Sequence, residues 1–378
     1  MSTQRKRRLI PVAVIFYLVI GIEILYMISP FALYYYSSYG PSLNFLQSSP
    51  ATAWLTHFFL PHYSETSSWL LNSLNPFGRI LFLGGLALFL VGAGQIYYAK
   101  FRRKGAVTAG LYRVIRHPQY TAFALMGLGV LFVWPRFMVL VMYVIMLFVY
   151  FWLAKKEEKE CDEKFGESYR EYLAGTSMFL PGDVKIWRKL NGDKPMRQHR
   201  SIAKASFVIG AIVVAVLCGF GIRNIAISKL AIHKTTNAAT LSVVQIEKDK
   251  LQKIFELAQS APGVSEKLRE AGRESGSGFL NYVVPNDWFL ADLPLEVIPK
   301  GVHGHVNPKN YNRDEFKVLF TVAGFAGNSP ELPDDILKRA VRRTPIVVVR
   351  LDLARAKILS VDEPPPHVLW GDIPTPTF

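Results

Sequence analysis

Cysteine is nearly absent from this 378-residue chain: Cys161 and Cys218 are the only two. The first lies in an acidic stretch and the second inside an apolar run, which excludes a disulfide framework and a thiolate metal cluster. The eight histidines are scattered. Their one close pair, His303 and His305, lacks other nearby ligands, so no metal site is expected. Fixed charge is scarce from Pro30 to Arg79, where Glu65 and Arg79 alone carry it. Acidic residues are in deficit overall, 29 against 44 Lys and Arg. That imbalance does not indicate nucleic acid, because it is unevenly placed: residues 228–378 carry 19 basic and 18 acidic groups, leaving 25 and 11 for residues 1–227.

What is present is apolar sequence in long runs, half of all residues being hydrophobic. A bilayer-crossing helix needs about 20 apolar residues. Spans are expected at Leu9–Ile28, Ile80–Ala99, Pro118–Val133, Phe137–Ala154 and Ala205–Ile227. The first follows Arg5-Lys6-Arg7-Arg8 and is longer than the roughly 7–15 apolar residues of a cleaved signal, so it reads as a retained anchor. Lys100, Arg102, Arg103, Lys104, Arg113 and Arg116 crowd the connection after the second span. By the positive-inside rule this connection and the N-terminus face the cytoplasm, and an odd number of spans leaves the C-terminal region on the other side.

The third span must stop near Trp134-Pro135-Arg136, because Pro135 lacks the helical N–H and disfavours helix in the residue before it. Its 16 residues reach only about 24 Å. Spans three and four therefore form a tight hairpin whose open ends, near His117 and Glu157, return to one membrane face. The expected class is an all-α multi-pass membrane protein of about five transmembrane helices with a C-terminal soluble α+β domain. The expected divisions are an anchor helix and interfacial aromatic loop (1–79), a membrane core (80–182), a connector with the last span (183–233), and a soluble domain of unassigned role (234–378). Tyr34, Tyr35, Tyr36 and Tyr39, then Trp54, Phe58, Phe59 and Trp69, place the loop in the headgroup zone, with a lid over a lipid substrate as the other reading. In the last domain, Leu241–Leu257 and Val264–Gly272 read as helices, and Phe316–Phe325 and Ile346–Ile358 as strands.

Chemistry is expected where the hairpin opens. Pro118 suits a first helical turn, and the free N–H groups behind it favour an anion. Arg113 and Arg116 add charge, and the planar Arg fork matches a carboxylate. His117, beside Arg116, is expected to be mainly neutral. Glu157 and Glu158 oppose the dipole at the end of an apolar helix, which invites an explanation other than pairing with Lys155, Lys156 and Lys159. Their offset of about 100° means that they need not serve one ligand group. Together these groups fit a zwitterion, and the physics leaves amino acids and lipid headgroups equally open.

The run Thr108-Ala109-Gly110-Leu111-Tyr112-Arg113-Val114-Ile115-Arg116-His117-Pro118-Gln119-Tyr120, followed after the hairpin by Glu157-Glu158 and then Phe165-Gly166, Tyr169 and Tyr172, resembles the isoprenylcysteine carboxyl methyltransferase and phospholipid methyltransferase superfamily. The resemblance covers about residues 80–182. Ala122 and Cys161 depart from the usual Gly and Leu. The resemblance implies S-adenosyl-L-methionine held in a cytoplasmic pocket by Gly110, Tyr112, His117, Pro118, Tyr120 and Glu157. It also implies Arg116 and Glu158 near the transfer centre, a pocket floor at Phe165, Gly166, Tyr169 and Tyr172, and a lipophilic acceptor entering from the bilayer. The acceptor would be an isoprenylcysteine-type carboxylate or a lipid amine. Membrane lipids are then the expected partners and nucleic acid is not. The competing readings are an NADPH-dependent isoprenoid or sterol reductase on a related scaffold, and a non-catalytic membrane adaptor.

Overall fold

The structure is a computed structural model that describes residue 18 and residues 21–22, 24–35, 41–102, 107–182, 201–275, 278–329, 335–366 and 373–378. Most of the first expected span and of the connector after residue 182 lie outside the described residues. Before the sheet, the described helices are α1 (Ile24–Tyr35), the short α2 (Pro41–Gln47), α3 (Trp69–Phe101), α4 (Pro118–Val133), α5 (Phe137–Phe165), the polar α6 (Glu167–Gly175) and α7 (Ser201–Ser228). Among the described residues three helices are long and apolar enough to cross a membrane: Trp69–Phe101, Phe137–Phe165 and Ala205–Ser228. The expected count of about five spans is not reached by this measure, since α1 and α4 are apolar but short.

α3 starts eleven residues before the expected Ile80, because the polar side chains of Asn72, Ser73 and Asn75 disguise its first turns in a hydropathy reading. α5 runs on beyond Ala154 through the charged stretch as one helix, with Lys156–Glu160 and Lys159–Glu163 pairs at i,i+4, both 3.7 Å. It ends at Gly166, whose φ of +60° suits a residue without Cβ. The chain then folds back as α6.

Two compact units form, one of residues Met1–Ser37, Gly78–Leu131 and Val141–Val213, the other of Ser38–Phe77, Phe132–Leu140 and Val214–Phe378. In the first, the hairpin helices meet in an antiparallel ladder. Gly127 leaves room for the Met146 and Tyr143 side chains. Tyr143 donates to the Ala124 carbonyl at 3.1 Å, Phe123 stacks on Tyr150 at 5.5 Å, and Tyr120 stacks on the same ring at 4.9 Å. α1 closes one side of the pair: Tyr34 donates to the Gly127 carbonyl at 2.6 Å and Tyr150 to the Met27 carbonyl at 3.1 Å.

On another side α3 approaches α4 backbone to backbone. A Cβ added to Gly129 would lie 2.5 Å from the Gly78 carbonyl oxygen and 2.7 Å from the Phe82 nitrogen. Small residues at such crossings let packing replace the hydrophobic effect, which is weak between helices in lipid. Gly129→Ala is therefore expected to push the helices apart and destabilise the unit by about 1–3 kcal/mol, as overpacking does. A thermal melt in detergent measures it. Gly84→Ala on α3, with open space around it, should be neutral.

The second unit is built on a six-stranded sheet in sequential order, β1 (Ile232–Lys234), β2 (Ala238–Ser242), β3 (Phe279–Pro285), β4 (Glu315–Gly324), β5 (Arg342–Asp352) and β6 (Lys357–Asp362). All neighbours are antiparallel except β2 and β3, which run parallel across the connection formed by α8 (Lys248–Gln259) and α9 (Val264–Ser275). Leu251, Ile254, Phe255 and Ala258 of α8 pack on Phe316, Val318, Phe320, Val347 and Val349. The opposite sheet face holds Leu241, Leu280, Tyr282, Leu319 and Val348 with Tyr63, Trp288 and Phe378. The sequence reading misplaced the first helix here. Leu241 and Ser242 end β2, whose five residues are all buried, and helix begins only after Glu247. The run Ile346–Ile358, expected as one strand, is two, turned at Ala356 with φ 48°.

Candidate functional site

Of the residues singled out in the first unit, Tyr112, Arg116, His117, Tyr120 and Glu157 line one cavity of about 330 Å³, while Gly110, Pro118 and Glu158 lie outside its lining. A tight turn carries Tyr112 to the cavity. Gly110 has φ +64°, and a Cβ there would lie 2.5 Å from the Gln95 side-chain nitrogen. Gln95 in turn accepts the Leu111 amide at 3.1 Å. Tyr112, on the short 3₁₀ turn Gly110–Arg113, reaches back to the Gly92 carbonyl at 3.4 Å, and Tyr172 donates to the Tyr112 carbonyl. The extended backbone that follows pairs with the chain after α6: the Arg116 amide donates to the Ser177 carbonyl at 2.8 Å and the His117 amide to Met178 at 3.2 Å. Pro118 then opens α4.

The two glutamates separate. Glu158 is buried and held by three cationic or basic groups, Arg116 Nε at 2.8 Å, Lys155 Nζ at 2.9 Å and His117 Nε2 at 3.3 Å. Arg116 Nη1 also donates to the carbonyls of Leu173 and Thr176 at the end of α6. This guanidinium is therefore engaged by the fold itself. Glu157, one residue on, has a side chain 47% exposed and lines the cavity. It accepts a hydrogen bond from the Tyr120 hydroxyl and stands 3.6 Å from His117 Nδ1. His117 thus bridges both carboxylates, with Tyr120 stacked on it at 5.7 Å.

His117 was expected to be mainly neutral, and here the structure differs. Burial pushes its pKa down, but the hydrogen bonds and charges of Glu157 and Glu158 outweigh burial and raise it above the ordinary value. The expectation considered Arg116 and not the carboxylates brought across by the hairpin. A raised value in the fold stabilises fully below the unfolded pKa of about 6.5 and is lost as pH rises through the folded value. The wild-type melting temperature should therefore fall over that interval, and His117→Gln should flatten the dependence. Thermal melts from weakly acidic to weakly basic buffer test this.

Burial raises the hydroxyl pKa values of Tyr112 and Tyr169, and that of Tyr172 to about 12, so these phenols remain hydrogen-bond donors at neutral pH. Phe165, Tyr169 and Tyr172 line the cavity, as do Lys100, Lys164 and Gln119. Sequence reasoning missed Gln95. A polar side chain within an apolar span was the available signal. It also missed the role of the α6 carbonyls, for which the sequence carries none.

Such a cavity lies at the lower end of small-molecule sites, roughly 300–1,000 Å³. Its partly exposed carboxylate beside phenols, with basic groups across from it, suits a zwitterion with a flat ring system. Neither the curated proteins nor the solved structures compared with the chain gave a match. The segment that carries the turn, the hairpin and both glutamates, residues 80–168, matches the phospholipid methyltransferase family, which suggests membrane methyltransferase activity.

Proposed function

We propose that the chain transfers a methyl group from S-adenosyl-L-methionine to a lipophilic acceptor reaching the site from the bilayer, with a lipid amine as the acceptor class. The observation that carries the acceptor choice is the engagement of Arg116. With Nε on Glu158 and Nη1 on the Leu173 and Thr176 carbonyls, Arg116 keeps only Nη2 for the cavity it lines and has no free two-pronged fork to orient an isoprenylcysteine-type carboxylate. Glu157, Tyr112, Tyr120 and the backbone at Gly110 would hold the cofactor, Glu157 taking its ammonium group. When bound, the cofactor supplies a methyl already activated on a sulfonium.

The residues of this chain then need to align the acceptor and exclude water. Glu158 is a weak candidate for a base, since Arg116, Lys155 and His117 all stabilise its anionic form. It acts in this reading as the fixed centre that holds Arg116 and His117 in place, and the acceptor ammonium would release its proton to solvent before its nitrogen takes the methyl group as the C–S bond breaks. The catalytic face would be cytoplasmic, from the basic connection beside it. No observation favours the reductase or the adaptor over this reading.

The test is transfer of labelled methyl from S-adenosylmethionine to lipid by the purified protein in liposomes. Vesicles containing phosphatidylethanolamine are compared with vesicles containing an isoprenylated cysteine. Label in the amine lipid supports the proposal. Label in the carboxylate alone overturns the acceptor class, and a folded protein that neither binds S-adenosylhomocysteine nor transfers label overturns the activity.

A further inference from the structure

The second unit holds a cluster that the methyl-transfer reading does not use. His62, in the loop before α3, meets Asp292 and His305, which lie in the long connection between β3 and β4. His305 Nε2 lies 3.4 Å from Asp292 Oδ2 and 3.3 Å from His62 Nε2, and His62 Nε2 lies 3.7 Å from the same oxygen. Two imidazole nitrogens and a carboxylate oxygen thus form a nearly equilateral triangle. Bonds of about 2.0–2.2 Å to one tetrahedral ion put ligand atoms about 3.3–3.6 Å apart, whereas an octahedral face of the same bonds would have edges of about 2.8–3.1 Å. Two observed edges fall in the tetrahedral range and the third, 3.7 Å, lies just above it; all three exceed the octahedral edges.

A second observation points the same way. Asp292 is 3% exposed, and neither of its carboxylate oxygens accepts a hydrogen bond among the described residues. Buried carboxylates normally have hydrogen-bond donors or a cation. Arg343 and Arg136 act on the Asp292 charge through space, but neither donates a hydrogen bond to it: Arg343 donates instead to Tyr63, Tyr282, Thr375 and the backbone carbonyls of Pro376 and Asp292. His62 is fixed edge-to-face against Trp134 at 4.8 Å and Phe58 at 5.4 Å. The His305 side chain, 25% exposed, leaves a route from solvent.

We infer that His62, Asp292 and His305 form a divalent-metal site of the zinc class, with three protein ligands and a fourth position open to solvent. Two imidazoles and one carboxylate suit Zn²⁺ better than Ca²⁺ or Mg²⁺, which require oxygen-rich sets. Binding requires one local change. The Ala291 amide donates to His305 Nδ1 at 3.1 Å, which puts the proton of a neutral His305 on Nε2. Coordination through Nε2 moves that proton to Nδ1 and breaks the Ala291 contact.

The test uses the full-length, tag-free protein in detergent, stripped of metal and then titrated with Zn²⁺ by calorimetry and with Co²⁺ by visible absorption. One equivalent of Zn²⁺ and intense tetrahedral Co²⁺ bands are expected. Both should be lost in Asp292→Asn and His305→Gln, two replacements close in size to the originals. Variants that keep their cooperative melts report on binding alone. If a variant unfolds, the wild-type stoichiometry and Co²⁺ spectrum still decide. No binding by wild type overturns the inference, as does an octahedral spectrum or binding unchanged in both folded variants, which would place the ion elsewhere.

Discussion

Glu158→Ala is expected to destabilise the first unit by about 3–5 kcal/mol, the cost of removing one partner from a buried ion pair. The reason is what it strands. Arg116 is held between α6 and Glu158, and without the carboxylate its charge stays buried beside Lys155 and the raised imidazole of His117. The loss should appear as a lower melting temperature and, through the Leu173 and Thr176 carbonyls, as loosening of α6. Adding Arg116→Leu should recover part of the loss, because the pair is removed together. A double-mutant cycle read by thermal melts measures this, and additive single effects would show that the two side chains act independently.

Glu157→Gln should behave in the opposite way. Its carboxylate is half-exposed and faces the cavity, so the fold loses little beyond the Tyr120 hydrogen bond and the ordinary weak contribution of an exposed pair. S-adenosylhomocysteine binding should fall by roughly 10–100-fold, corresponding to about 1.4–2.8 kcal/mol for a charge-assisted contact in a site open to water. Calorimetry on both variants gives the contrast: stability lost with Glu158, ligand lost with Glu157. Equal binding by wild type and Glu157→Gln would move the ammonium site away from Glu157. The variant would then leave the cofactor proposal resting on the cavity alone.

The long membrane helices were legible because lipid demands continuous apolar runs with internally satisfied backbones, a pattern that needs no tertiary information. Pro118 and Pro135 bounded α4 to the residue, since proline acts on its own backbone and on the residue before it. The strands were read less well. Leu241 and Ser242, the end of β2, read as the start of a helix because Leu241, Val243 and Val244 are buried for reasons of sheet packing that apolar periodicity in a short run does not distinguish.

Within the site, the residues that matter were visible as types, and their division of labour was not. Adjacent glutamates look alike in sequence. A rotation of about 100° along α5, together with the backbone trace of Arg116 past α6, buries one carboxylate and turns the other into the cavity. The same limit hid the histidine cluster. His303 and His305 read as a pair without further ligands, because His62 is 243 positions from His305 and Asp292 is an ordinary loop acid until the chain folds. The sequence by itself determined what acts locally: apolar runs, proline boundaries, the basic connection and the two-part motif around Arg116-His117-Pro118 and Glu157-Glu158. The tertiary structure alone decided which charges meet, which are buried and which face a cavity, because long-range pairing depends on chain paths that no local pattern encodes.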